Sequence, residues 1–207
     1  MANSQPKPVI STRHTRSVLT KNQQVILSDL LRGSVKFCKV AGLQEDLITE
    51  IIDTDTDWAL ILKLDALLET ATKEILRKHL RITLAGRTAD SGAMEGFIES
   101  LSLNGKTSVL NLLRAAGCAK TDLSFIEAVR KVRNAFAHNI KNLNVSLIEL
   151  VKRQDKNLLA SLCLLKAAQN EMIAMREKNA TMLRLELVLS TLRFLNFAYD
   201  VVAKEQP

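Results

Sequence analysis

The chain has 207 residues, 47% of them apolar and 4% aromatic, with a net charge of +7, enough for one domain with a sizeable core. Leu, Ala and Ile carry the packing and the three prolines, Pro6, Pro8 and Pro207, leave the body uninterrupted, a composition that favours long helices over a β-sandwich. Cys38, Cys118 and Cys163 form no C-x-x-C pair, which excludes a zinc ribbon or a redox couple, and no run of 18 apolar residues suggests a membrane span.

Residues 1–16 are polar, hold Pro6 and Pro8, and read as a disordered arm. The first forty residues carry seven basic side chains against Asp29, six of the seven net charges. Lys7, Arg13 and Arg16 are therefore candidate phosphate contacts through counterion release, with a plain solvated tail as the alternative. No apolar leader core is present, so no signal peptide is expected. The thiols are then expected to be reduced and buried in a cytoplasmic protein.

Residues 17–204 read as one all-α domain, an up-and-down bundle of five to seven helices. A first helix is expected over Val18–Val40, closed by Gly42, and a short one over Leu43–Ile52. Asp53-Thr-Asp-Thr-Asp57 invites a calcium loop, but Trp58 stands where the loop needs Gly and Leu64 where it needs Glu. The segment is better read as an acidic N-cap and first turn for a long helix, Asp57–Leu80, whose end carries Arg77, Lys78, His79 and Arg81. A loop over Thr83–Ala93 leads to a short helix, Met94–Leu101. Asn104-Gly-Lys-Thr107 looks like the end of a P-loop, yet Ser100 occupies the position of its first Gly and no strand precedes it. Nucleoside-triphosphate hydrolysis is rejected on that basis. Lys106–Ala116 reads as a short helix closed by Gly117, and Thr121 or Asp122 as the cap of the next one, with Glu127 supporting Lys131. Val145–Ala168 follows as one helix or two. Glu171–Lys204 is the last and longest helical stretch, with Glu186, Arg193 and Asp200 marking its solvated stripe.

The stretch Arg130–His138, RKVRNAFAH, holds the candidate site. With Val129 as origin, Phe125, Val132, Phe136 and Ile140 fall within about 60° on one apolar helix face. Arg133 lies about 40° from that origin, where a charge needs a partner or a groove. Asn134 and His138 are one turn apart, and Ala137 is small enough to let another surface approach. The plainer reading is a capped helix end, with His138 complementing the macrodipole and Asn139 as an αL cap.

Arg133 to His138, RNAFAH, resembles the Arg-x4-6-His signature of the HEPN superfamily (higher eukaryote and prokaryote nucleotide-binding domains). Asp57–Leu80 resembles that family's long second helix, with Glu69 at the place of its recurrent acidic residue, and Ser102–Gly117 resembles the short helix and glycine before the motif helix, notably in members related to the mannitol-operon repressor. The match covers roughly Leu43–Asn142 in order.

The resemblance implies a homodimer whose motif helices face each other, and a metal-independent endoribonuclease of the toxin or defence kind. Arg133, His138 and Asn134 would be its catalytic residues, Arg130 a backbone contact and Glu69 a supporting acid, with no cofactor and no metal. RNA, and an antitoxin or regulatory protein, would be its partners. The alternative is a non-catalytic regulator or nucleic-acid-binding module on the same fold, in which Arg133 would bond to Glu69 or to carbonyls and His138 would be a cap.

Overall fold

The computed structural model describes residues 21–83, 91–154, 156–162 and 180–203. They form an all-α bundle of α1 (Lys21–Val40), α2 (Leu47–Ile52), α3 (Asp57–Thr83), α4 (Ser91–Ser100), α5 (Val109–Ala115), α6 (Lys120–Ala137), a 3₁₀ turn (Ile140–Asn144), α7 (Leu147–Arg153), α8 (Lys156–Ser161) and α9 (Ala180–Ala203). The nine α-helices among the described residues exceed the expected five to seven because α2, α5, α7 and α8 are short pieces of six or seven residues. Among those residues the extended pairing is a lone bridge between Ser102 and Ser108. No described helix is long and apolar enough to cross a membrane.

Helix α3 is the axis of the bundle. Leu60, Ile61, Leu64, Leu67, Leu68, Ala71, Ile75 and Leu76 recur at three- and four-residue steps and are all buried, a stripe wide enough to pack several neighbours. It meets α6, α5 and α4 on one side and α9 on another, and α9 also lies along α1. Helix α6 contributes Leu123, Phe125, Ile126, Val129, Val132 and Phe136 to the same core.

Two glycine ends fall as the sequence suggests. After α1, Leu43 N–H donates to Cys38 O at 2.8 Å and Gly42 N–H to Lys39 O, with Gly42 at φ +69°. After α5, Cys118 N–H donates to Leu113 O at 3.0 Å and Gly117 N–H to Arg114 O, with Gly117 at φ +87°. Both are Schellman turns, in which a residue without a Cβ reaches the left-handed region at no steric cost.

Other boundaries differ. Helix α3 runs three residues past Leu80. Helix α4 begins at Ser91 and takes in Gly92, which the sequence reading placed in a loop. The stretch after Val145 takes the second of its two expected forms, with α7 and α8 as separate helices. Neither Thr121 nor Asp122 caps α6: Ala119 is the N-cap residue, without a side-chain bond, and Asp122 lies in the first turn. Glu127 pairs with Arg114 of α5 at 2.8 Å rather than with Lys131. Asp57 is the acidic residue of the first turn of α3, as expected, and it has distant partners as well. Its carboxylate accepts from the Leu147 N–H at 2.7 Å and from Arg184 Nη1 at 2.6 Å, so it ties the starts of α7 and α9 to α3. On α9 the expected solvated stripe holds at Arg193 and Asp200 but fails at Glu186, which is 4% exposed. Glu186 lies two residues from Arg184, which binds Asp57 of α3, so this part of α9 faces the bundle. Cys38 is a buried free thiol and Cys118 a half-buried one, while Cys163 lies outside the described residues.

The α1–α9 contact is close at one point. A Cβ on Gly33 would sit 1.8 Å from Asn196 Oδ1. Asn196 cannot simply turn aside, because its Nδ2 donates to Leu30 O at 2.8 Å, Leu192 O at 2.7 Å and Ser34 Oγ at 3.2 Å. Gly33→Ala should therefore destabilise the fold by about 1–3 kcal/mol through overpacking. The check is urea unfolding, where the midpoint should fall at an unchanged slope.

Candidate functional site

Helix α6 ends at Ala137 because the chain turns there. His138 is the C-cap residue, in the right-handed region, with its N–H donating to Asn134 O at 2.9 Å. Asn139 does not adopt the expected αL cap. It is extended at φ −140°, and its side chain accepts from Lys141 N–H at 3.0 Å to start the 3₁₀ turn. Asn142 Nδ2 then donates back to Ala135 O at 2.7 Å, which satisfies one of the carbonyls a helix end leaves open. This early stop takes Ile140 off the apolar face assigned to it, leaving it 80% exposed.

The motif side chains are divided between two environments. Ala137 and His138 are exposed at the helix end. Arg133 is half-buried with 36% of its side chain in solvent, and its Nη1 donates to Asn134 Oδ1 at 3.1 Å. Its Nε stands 3.7 Å from Asp65 Oδ2 on α3. Glu69, the acid expected beside Arg133, is instead bound to Arg130: Arg130 Nη2 donates to Glu69 Oε2 at 3.1 Å, and Nη1 donates to Asp65. Arg130 is thus held across two carboxylates one turn apart on α3. These two carboxylates are the partners of the residue expected to make a backbone contact.

Asp65 is the residue the sequence reading passed over. Its side chain is 5% exposed and shared between two guanidinium groups, while its Oδ1 is buried without a hydrogen bond. Burial pushes its carboxyl above the usual carboxylate range; Arg130 and, less strongly, Arg133 pull it back, and Glu69 adds a small push upward. A buried charge of this kind is stable only while its partners stay in place.

Glu69, unlike Asp65, also opens onto a charged seam between α3 and α4. Glu69 Oε1 lies 3.4 Å from Lys73, Lys73 lies 3.1 Å from Glu99, Arg77 meets Glu99 at 3.1 Å, and Arg81 meets Glu95 at 3.0 Å. The Lys73 hydrogen bond is the main reason the Glu99 carboxyl sits below its ordinary range. Ala66, Glu69, Thr70, Lys73, Glu74 and Glu99 line a small groove there. Its charged lining is Glu69, Glu74 and Glu99 against Lys73, so it has no positive field with which to gather a polyanion.

Of the candidate residues, the fold brings together Arg130, Arg133, Asn134 and Glu69, and sets His138 one turn on at the exposed end of the same helix. Lys7, Arg13 and Arg16 lie outside the described residues. Among the described residues no three His, Cys, Asp or Glu side chains converge as a metal site would require. Compared with family models, curated proteins and solved structures, the chain finds no match.

Proposed function

We propose that the chain is a HEPN-type endoribonuclease, cytoplasmic and homodimeric, that cleaves single-stranded RNA without a metal. The observation that carries this reading is the state of Arg133. The two α3 acids are occupied mainly by Arg130, so Arg133 keeps a third of its side chain in solvent beside Asn134, which lies one turn before the exposed His138. In the proposed reaction the ribose 2′-oxygen attacks the adjacent phosphorus and the bond to the 5′-oxygen of the next nucleotide breaks. The products are a 2′,3′-cyclic phosphate and a 5′-hydroxyl. His138 accepts the 2′-hydroxyl proton or delivers one to the leaving oxygen, with water or His138 of the second subunit completing the pair. Arg133, a planar fork of donors that keeps its charge, neutralises the pentacoordinate phosphorane. Asn134 steadies Arg133 through its side-chain oxygen. Incubation of the purified protein with single-stranded RNA in EDTA tests this: cleavage to cyclic-phosphate ends is expected, and intact RNA would overturn it.

Exposed apolar side chains beside the motif support the dimer. Ile140 is 80% and Leu143 37% exposed, next to the exposed Ala137, and a two-fold contact would cover them. Ala137→Trp should weaken the dimer by overpacking that contact. Sedimentation at micromolar concentration is the check, and a monomeric wild-type protein would remove both the dimer and the shared site.

The second reading is a non-catalytic regulator on the same fold that acts through nucleic acid or a protein partner. It is favoured by the approach of Asp65 to Arg133, a contact that a purely structural arginine would also make.

A further inference from the structure

Two arginines one turn apart on α6 face two acids one turn apart on α3. Among the four cross-pairings, Arg130 takes both of its own, to Asp65 and to Glu69 at 3.1 Å, while Arg133 takes one, to Asp65 at 3.7 Å. The grip on the two is therefore unequal. Arg130 is 20% exposed and doubly bound; Arg133 is 36% exposed and engaged by one long ion contact and one neutral side chain. Asp65 is common to both, is nearly sealed from water, and still has one oxygen without a donor. A carboxylate in that position can restrain Arg133 without saturating it.

We propose that Asp65 is the positioning residue for Arg133: its buried carboxylate, anchored by Arg130, holds the Arg133 guanidinium in place until a substrate phosphate takes over as its partner. The part that concerns phosphate rests on the ribonuclease reading; the hold on Arg133 does not. The phosphodiester monoanion of RNA, and still more the dianionic phosphorane, accepts from a guanidinium fork at hydrogen-bond distance more strongly than a carboxylate at 3.7 Å. Substrate and Asp65 therefore compete for Arg133. Removing the carboxylate should loosen the guanidinium and relieve the competition together, so binding and turnover should move in opposite directions.

Two readouts test this on the full chain. The first needs no RNA: the hydrogen-exchange rate of the Arg133 Nε–H by NMR. It should rise in Asp65→Asn and stay near the wild-type rate in Glu69→Gln, which removes the same charge one turn away from a group that Arg133 does not contact. The second uses a short fluorescein-labelled single-stranded RNA. With His138→Ala as background, Asp65→Asn should tighten binding about threefold, since a competing charge is gone. With His138 intact it should slow turnover about tenfold, since a displaced catalytic group loses its alignment.

An unchanged Arg133 exchange rate in Asp65→Asn overturns the proposal whatever the RNA results. So does an equal effect of Asp65→Asn and Glu69→Gln on both binding and turnover, which would mark a general charge effect. If the wild-type protein neither binds nor cuts RNA, the ribonuclease reading falls and the exchange rates decide the hold on Arg133 by themselves. Should Asp65→Asn fail to fold by far-UV CD, Arg130→Gln serves with the same sign. It removes the anchor of the Asp65 carboxylate, so the Arg133 Nε–H should exchange faster, and an unchanged rate would overturn the proposal.

Discussion

Arg133→Ala and His138→Ala are each expected to lower RNA cleavage at least about a hundredfold, the usual scale for losing a charge stabiliser or a general acid–base group. The two losses should differ in kind. His138 is exposed at the C-cap of α6, and its backbone N–H, not its ring, makes the cap bond to Asn134 O. His138→Ala should therefore leave melting temperature and RNA binding nearly unchanged while turnover collapses. Arg133→Ala removes the phosphate partner as well, so affinity should fall with turnover. Arg133→Lys should rescue poorly, because a point charge cannot replace a planar fork. Cleavage by His138→Ala at the wild-type rate would sink the chemistry and leave the regulator reading in its place. The assay belongs at fixed ionic strength, since salt alone changes RNA affinity steeply.

The helices were legible because their cause is local. Apolar residues at three- and four-residue steps dictate α3 and α6, and Gly42 and Gly117 close α1 and α5 through backbone geometry that no distant residue has to supply. What was missed or misread has a different origin. Asp57 was legible as the acid of the first turn of α3, but not as the partner of Arg184, 127 positions away in the chain. Glu186 keeps the seven-residue spacing of a solvated stripe, yet it is buried two residues from Arg184, where α9 is bound to Asp57 of α3. Ile140 has the right angle for the apolar face of α6, but the helix has already ended.

Asp65 was within reach of the sequence. With Asp65 as origin, Ile61, Leu68 and Leu76 fall within about 60° of it on a helical projection and Glu69 about 40° away on the side opposite Ile61, so it lies on the flank of an apolar face. The argument that singled out Arg133 as a charge needing a partner applies equally to Asp65, and each is part of the other's answer. What spacing could not decide is which arginine takes which acid. Arg130 and Arg133 both lie within reach of α3, and the division between them depends on the rotation of α6 against α3.

Arg184→Ala is expected to cost about 3 kcal/mol or more of folding stability, in the range for breaking a buried ion pair by deleting one partner. Arg184 is 9% exposed. Its Nη1 donates to Asp57 Oδ1 at 2.6 Å and to Asp55 O at 3.3 Å, and its Nη2 donates to Thr54 O. One guanidinium thus satisfies two backbone carbonyls of the α2–α3 connection and balances the carboxylate that holds the start of α7 through Leu147 N–H at 2.7 Å. Deleting it leaves Asp57 largely buried without its cation and two carbonyls without a donor, each a desolvation cost with no compensating bond. Asp57→Asn should cost less than Arg184→Ala, because the amide oxygen can still accept from Leu147 N–H. The double variant should cost less than the two single losses added together, since the second change removes a charge the first has already stranded. Urea unfolding of the three proteins measures this cycle. Strict additivity would mean that the two side chains stabilise the bundle independently, and that the knot joining α3, α7 and α9 is not a unit.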